Sequence, residues 1–358
     1  MTAPGRPLKD LPRVWIVVFA VVLASAALLA LLSRIARIPA SAMSLVEEPG
    51  PFDPGKPALP PPPPSPEGLP ARAVTVLDGG QRVLTYVYGD KLAPGVDPRY
   101  ARSGYIHPLY SLDGLVLTED FPRDHRHHHG LLWAWPEIRV RGVETSNWEP
   151  AEPPLRQRFV RWIERQVTNA GARLVVENAW QLGGTGTVAE ETVTILVAGA
   201  TRFGRAIDIE IALRPVGEPI FLKGASEDNK GYGGLCFRGR AIEGFDSRLF
   251  KGAAMMTDRG PLTEDSSGGR FRWADLSIPG SGGVAIFVSP RHPGFPPPWL
   301  VRNSYAGILN PCWPALEGAV LEAGVPVSLR YRVYIHSGDA GTGRVAEAYA
   351  AYLAAEKK

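Results

Sequence analysis

The chain has 358 residues, 45% of them hydrophobic and 21% charged, with 39 Gly, 35 Pro and 2 Cys. That apolar share excludes wholesale disorder, the Gly and Pro load argues against a helical bundle, and two cysteines cannot build a disulfide-rich scaffold. The formal net charge of +3 argues against a dedicated nucleic-acid binder, so no nucleic-acid partner is expected.

Residues 1–13 read as a short basic tail carrying Arg6, Lys9 and Arg13. Residues 14–33 (VWIVVFAVVLASAALLALLS) carry no charge. A helix of that length spans about 30 Å, the thickness of a bilayer core, so the run predicts a transmembrane helix. Ala40, Ser41 and Ala42 resemble a signal-peptidase site, but the long apolar run followed by Arg34 and Arg37 favours a retained anchor. The basic flank places the N-terminus in the cytoplasm. The expected localisation is therefore a single-pass cell-membrane protein with its bulk outside the cytoplasm.

Residues 34–70 read as a linker. Its stretch 49–70 holds 11 prolines, five of them consecutive at 60–64. Such a run extends as polyproline II, and the expectation is a semi-rigid spacer that holds a domain off the membrane. Charge follows the same division: residues 1–37 are basic, residues 38–70 are acidic, and the remainder is near neutral.

Residues 71–358 read as one all-β domain, a large antiparallel β-sandwich ending in a short helix. Residues 73–77 and 82–88 flank Asp78-Gly79-Gly80, a hairpin signal. Further strands are expected at 158–167, 173–181, 190–197, 206–213, 284–288 and 327–336. In one of them Ile207, Ile209 and Ile211 alternate with Asp208, Glu210 and Ala212, the pattern of a half-buried antiparallel strand. Helical periodicity is confined to an Ala-rich segment at 344–357. No phosphate-binding glycine motif is present.

The chemistry concentrates in one stretch. Five of the seven histidines, His107, His125, His127, His128 and His129, lie within 23 residues. In an extended backbone His125, His127 and His129 would share a face and could hold one divalent metal, with a fourth position open. Neutral imidazoles serve equally well as acids and bases near pH 7, or as hydrogen-bonding groups for a polar ligand. Asp120 flanks them, and Trp133 and Trp135 would share a strand face, as a platform for a sugar ring or as core. Downstream, Lys230, Tyr232 and Arg238 sit in a glycine-rich turn and Arg302 in a second polar-aromatic stretch. All four are candidate substrate contacts. Cys236 and Cys312 are open between a bridge and two buried thiols.

These motifs carry a resemblance. RSGYIHPLY at 102–110, DFPRDHRHHHG at 120–130 with WAW at 133–135, KGYGG at 230–234 and YRVYIH at 331–336 resemble an uncharacterised bacterial family labelled "methane oxygenase PmoA-like". The resemblance covers about residues 80–350. In that family a Pro often stands at the position of Arg126 and Arg or His at that of His129, so it points to His125, His127 and His128 before His129. A methane monooxygenase subunit would need several membrane helices, and this chain offers one. The resemblance implies instead a galactose-mutarotase-like sandwich near carbohydrate chemistry.

The combined expectation is a membrane-anchored domain that binds or processes a carbohydrate or related polyol. His107, His125, His127 and His128 would be its acid/base groups. Asp120, Trp133, Trp135, Lys230, Tyr232, Arg238 and Arg302 would contact substrate. The alternatives are a non-catalytic sugar- or cell-wall-binding module and a metal-dependent oxidase or hydrolase.

Overall fold

A computed structural model describes residues 43–48, 72–240, 249–304 and 306–356. They lie in one unit, Ser41–Lys358. The chain runs through β1 (Met43–Glu48), β2 (Ala73–Asp78), β3 (Gln81–Val87), β4 (Tyr105–Leu109), β5 (Leu131–Ala134), β6 (Glu137–Val140) and β7 (Val143–Thr145). The long strands β8 (Leu155–Thr168), β9 (Gly171–Leu182), β10 (Gly186–Ala198) and β11 (Gly204–Pro215) follow. Next come β12 (Ile220–Lys223), β13 (Gly234–Arg238), β14 (Ala254–Thr257), β15 (Gly260–Leu262), β16 (Ser266–Arg270) and β17 (Trp273–Ser277). The last are β18 (Gly282–Val288), β19 (Pro298–Arg302), β20 (Ile308–Pro311), β21 (Ala319–Leu321), β22 (Val327–Ser337) and a single helix α1 (Val345–Glu356).

Two nine-stranded antiparallel sheets form the body. The first runs β1-β2-β3-β4-β5-β13-β20-β19-β16, the second β15-β14-β17-β18-β22-β11-β10-β9-β8, and a small sheet β21-β12-β6-β7 accompanies them. Alternation along the strands decides what each face meets. Ile207, Ile209 and Ile211 of β11 join Val333, Tyr331 and Leu329 of β22 in the main core. On the opposite face Asp208 and Glu210 pair with Arg332 and Arg330 directly across the ladder. The same core contains Leu84, Ile106, Leu131, Trp133, Leu235 and Phe237 of the first sheet, so the two sheets close on each other. Each fully buried aliphatic side chain contributes about 1.5–3 kcal/mol to that closure.

The outer face of the first sheet is covered as well. Tyr105, Leu132, Ala134, Cys236, Leu300 and Ile308 form a second apolar cluster with Trp148. The outer face of the second sheet carries α1 through Phe287, Tyr334, Tyr349 and Tyr352. Both cysteines are free and buried, which decides between the two sequence readings. The Asp78 hairpin forms as expected, with Gly79 and Gly80 at φ +59° and +84°, and the expected strands and C-terminal helix are all present.

One expectation changes, and another falls outside the described residues. Among the described residues no helix is long and apolar enough to cross a membrane, and the 14–33 run lies outside those residues. The 34–70 segment contains a strand, β1, which pairs with β2 from Met43↔Asp78 to Glu48↔Ala73. Glu48 accepts from Thr75 and pairs with Arg82, while Glu47 pairs with Arg165. Residues 43–48, inside the expected linker, therefore belong to the first sheet.

Candidate functional site

The histidine segment is not extended. Two successive turns, closed by His125 N–H to Pro122 O and His128 N–H to His125 O, fold residues 122–128 into a compact loop. Pro122 opens the first turn, and a bridge between Asp120 and His129 closes the base of the loop. The expected shared face of His125, His127 and His129 is thereby lost. The rings of His125 and His128 instead stack 4.9 Å apart, and His127 sets its ring edge-on to His128 at 4.7 Å.

Gly130 seats this loop on the sheet. It adopts φ +47°, and a Cβ there would lie 2.8 Å from His107 Cβ and closer still to the Ile106 carbonyl. Only glycine fits so tight an approach of β4 and β5. Register then lays out a row on the outer face. His107 of β4 lies beside Gly130, Arg238 of β13 donates its N–H to Gly130 O at 2.7 Å, and Arg238, Ile308 and Arg302 are aligned across β13, β20 and β19.

Two polar networks hold the loop down. In the first, the Asp120 carboxylate accepts from Lys91 Nζ at 2.7 Å, Tyr105 Oη at 3.0 Å and His129 Nδ1 at 2.7 Å. Burial pushes this carboxyl upward, but Lys91 and His129 outweigh it and hold the group well below the usual range. His107 Nδ1 meets Thr118 Oγ1 at 3.0 Å nearby. In the second, Arg238 is fully buried and grips both Asp124 oxygens at 3.1 and 2.9 Å, with His128 Nδ1 3.3 Å from its guanidinium. Despite burial, Arg238 brings the Asp124 carboxyl down to about 2. Burial drives His107 and His127 down to about 3, and pushes His128 and His129 down as well. These imidazoles are neutral near pH 7.

One cleft of about 170 Å³ opens beside the loop. His127 and His129 line it, with Asp90, Arg102, Asn147, Trp148 and Gln157 on the opposing walls. Arg102 is anchored rather than free: it donates to the carbonyls of Asn147 and Trp133 and to Gln157 Oε1 at 2.6 Å. Gln157 in turn donates to Glu191 Oε2 at 2.8 Å. Glu191 is fully buried and also accepts from the Trp133 and Trp180 indoles and from Asn178. This chain of hydrogen bonds ties the cleft wall to the core. Burial without a carboxylate in direct contact brings the Arg102 guanidinium down to about 10.

Of the expected acid/base set only His127 lines the cleft; His107, His125 and His128 support the loop. His129, which the resemblance ranked last, lines the cleft with its Nδ1 held by the Asp120 carboxylate. Trp133 and Trp135 do share a face, but it is the core face. Both are fully buried, with Trp135 Nε1 donating to Trp313 O, so neither forms a substrate wall. Trp148 lines the cleft instead, backed by Tyr232 at 5.0 Å. Lys230 pairs with Asp228 and Arg302 with Asp265, and neither lines the cleft. Arg238 binds the loop rather than a ligand. Among the described residues no three His, Cys, Asp or Glu side chains are placed to hold one metal ion. The expected set of His125, His127 and His129 is not assembled because the two turns at 122–128 remove the strand face they would have shared. Sequence reasoning missed Arg102, Asn147, Trp148 and Gln157. Arg102 opens the RSGYIHPLY stretch that carries the resemblance, and a lone Trp marks the polar run SNWEP at 146–150; neither pointed to a cleft.

A family profile described as "Family of unknown function (DUF6807)" matches residues 73–350. Its description names no activity, in keeping with the uncharacterised family expected from the sequence, and does not carry the methane-oxygenase label. No curated protein matches the chain in sequence. Among solved structures, a heparan sulfate lyase mutant from Pedobacter heparinus aligns at 7% identity and TM-score 0.38, over 76% of this chain. This chain spans only 35% of that lyase. A protein from Klebsiella pneumoniae provisionally named an aldose 1-epimerase aligns at 9% identity and TM-score 0.43, over 90% of each chain. A galactose mutarotase related enzyme from Lactobacillus acidophilus aligns at 6% identity and TM-score 0.38, over 75% of this chain and 95% of its own. These enzymes are sugar-processing by name; likeness at this level carries no argument about activity here.

Proposed function

We propose, for a chain that belongs to the DUF6807 family of unknown function, that the cleft is an acid/base site for a sugar or related polyol. One observation carries this reading: two neutral imidazoles, His127 and His129, line one polar cleft, and a carboxylate fixes the tautomer of the second. With Nδ1–H given to Asp120, His129 keeps its Nε2 lone pair for a substrate proton. The proton passes from a substrate O–H or C–H to Nε2, and the imidazolium so formed is stabilised by the Asp120 carboxylate. It then returns the proton to a different substrate atom. Neutral His127 both donates to and accepts from hydroxyl groups, Asn147 and Arg102 add donors, and Trp148 offers an apolar wall for a ring.

The same reading takes the domain as a galactose-mutarotase-like sandwich, supported by the sequence resemblance and the two facing nine-stranded sheets. It also takes residues 14–33 as a retained single-pass anchor with the domain outside the cytoplasm, supported by their hydropathy and flanking charge. Carbonate extraction and protease protection of membrane vesicles test that placement.

The site is tested by screening aldoses, uronates and polyols for binding by ligand-observed NMR, then following conversion of the binders. His129→Asn should lower turnover about 10²–10⁴-fold, the usual contribution of a positioned acid/base group. Wild-type turnover in both His129→Asn and His127→Asn refutes the reading. Binding without any conversion would make the domain a recognition module.

A further inference from the structure

A larger groove, of about 610 Å³, lies where the β14–β15 turn, the start of β17, the 290–296 loop and α1 meet. It shares no lining residue with the histidine cleft. Its walls divide by chemistry. Trp273, Phe295 and Tyr349 form an aromatic side, and Arg259, Arg270 and Arg272 stand around it with a single acidic residue, Asp258.

That acid does not neutralise the set. Asp258 Oδ1 accepts the backbone N–H of Arg272 at 2.9 Å, and Oδ2 lies 3.5 Å from Arg272 Nε. Arg270 donates to the Pro296 carbonyl at 3.0 Å, and its one carboxylate partner among the described residues is the exposed Glu317, at 3.5 Å. Such an exposed pair contributes little. Arg259 rests over the Phe271 ring, 6.0 Å from its centre, and has no carboxylate partner among the described residues. Three guanidiniums and one carboxylate line one aromatic groove, an excess of positive charge that favours an anion. A guanidinium fork suits a carboxylate or sulfate, and an aromatic face suits the apolar side of a ring.

We propose that this groove is an accessory binding site for an acidic saccharide, a sugar unit bearing a carboxylate or sulfate. The oxyanion is inferred from the arginines alone; the saccharide rests on the reading of the cleft.

The test titrates the full chain with three oligosaccharide probes: oligogalacturonate, a sulfated oligogalactose and neutral oligogalactose. Calorimetry and Trp fluorescence follow binding. At least one acidic probe should bind, more weakly as salt rises, and the neutral one should bind at least about tenfold more weakly. Arg259 and Arg270 are exposed, so Arg259→Gln/Arg270→Gln should melt with the wild type while losing at least about tenfold in affinity. Binding should persist in His129→Asn, which separates this site from the cleft. Whichever acidic probe binds names the oxyanion. The proposal is overturned if neither acidic probe binds, if the neutral probe binds equally well, or if the double variant keeps wild-type affinity.

Discussion

Asp120→Asn tests the joint between the loop and the sheet. Asp120 is 5% exposed and its partner Lys91 16%, so their charges meet away from water. The substitution leaves the Lys91 ammonium without a counter-charge, and the new amide faces donors from Lys91, Tyr105 and His129 with only one oxygen to accept them. Removing one partner of such a buried pair costs about 3–5 kcal/mol, a large part of a domain's net stability. Urea unfolding at pH 7, followed by Trp fluorescence, should show that loss as a lowered midpoint at unchanged slope. Adding Lys91→Met removes the stranded cation, and the double variant should regain more than half of it. The sign with pH follows from the depressed carboxyl. A group held below its ordinary 3.8 contributes stability that is present above that value and is lost as pH falls through the folded-state value. The gap between wild type and Asp120→Asn should therefore be constant from pH 7 to pH 5 and narrow below about pH 4. A loss under about 1 kcal/mol, or a double variant no better than the single, would show that Asp120 is not the loop's anchor.

Two further outcomes follow. Gly114 and Gly130 both have positive φ, but a Cβ meets nothing within 4 Å at Gly114 and collides with β4 at Gly130. Gly114→Ala should cost about 1 kcal/mol and Gly130→Ala about 1–3 kcal/mol more, measured by urea midpoints; equal losses would show that the close approach is not constraining. The buried histidines set the acid response. His107 and His292 are held at about 3 and about 4 against an ordinary 6.5, so the unfolded chain takes up more protons as pH falls. Stability is complete above 6.5 and is lost on acidification, by about 2 kcal/mol for each of these groups between pH 7 and pH 5. Stability unchanged at pH 5 would contradict neutral burial.

Much of the fold is legible in the residues because its determinants are local. Alternation at two-residue spacing in 206–213, the Asp78-Gly79-Gly80 turn and the Ala-rich end are each set within a few residues, and each forms as read. The charged and uncharged sides of β11 follow from the same alternation. β1 escaped because six residues between an apolar run and a proline-rich stretch give no pattern of their own; their strand exists through pairing with β2.

The composition also singled out the region of the site, since five histidines in one short stretch survive any choice of fold. Which of them line the cleft was decided elsewhere. Two turns within 122–128 cancelled the expected strand face, and the Asp120 bridge promoted His129 over its neighbours. Strand order brought Arg238 against Asp124, over a hundred residues earlier, and set Trp148 and Arg102 across the cleft. Alternation tells a side chain which face it shares, but not which strand will lie beside it. Ladder neighbours are chosen by closure of the whole core, so the sequence by itself determined strands, faces and the chemistry available. Only the tertiary structure decided which of those groups share a cleft.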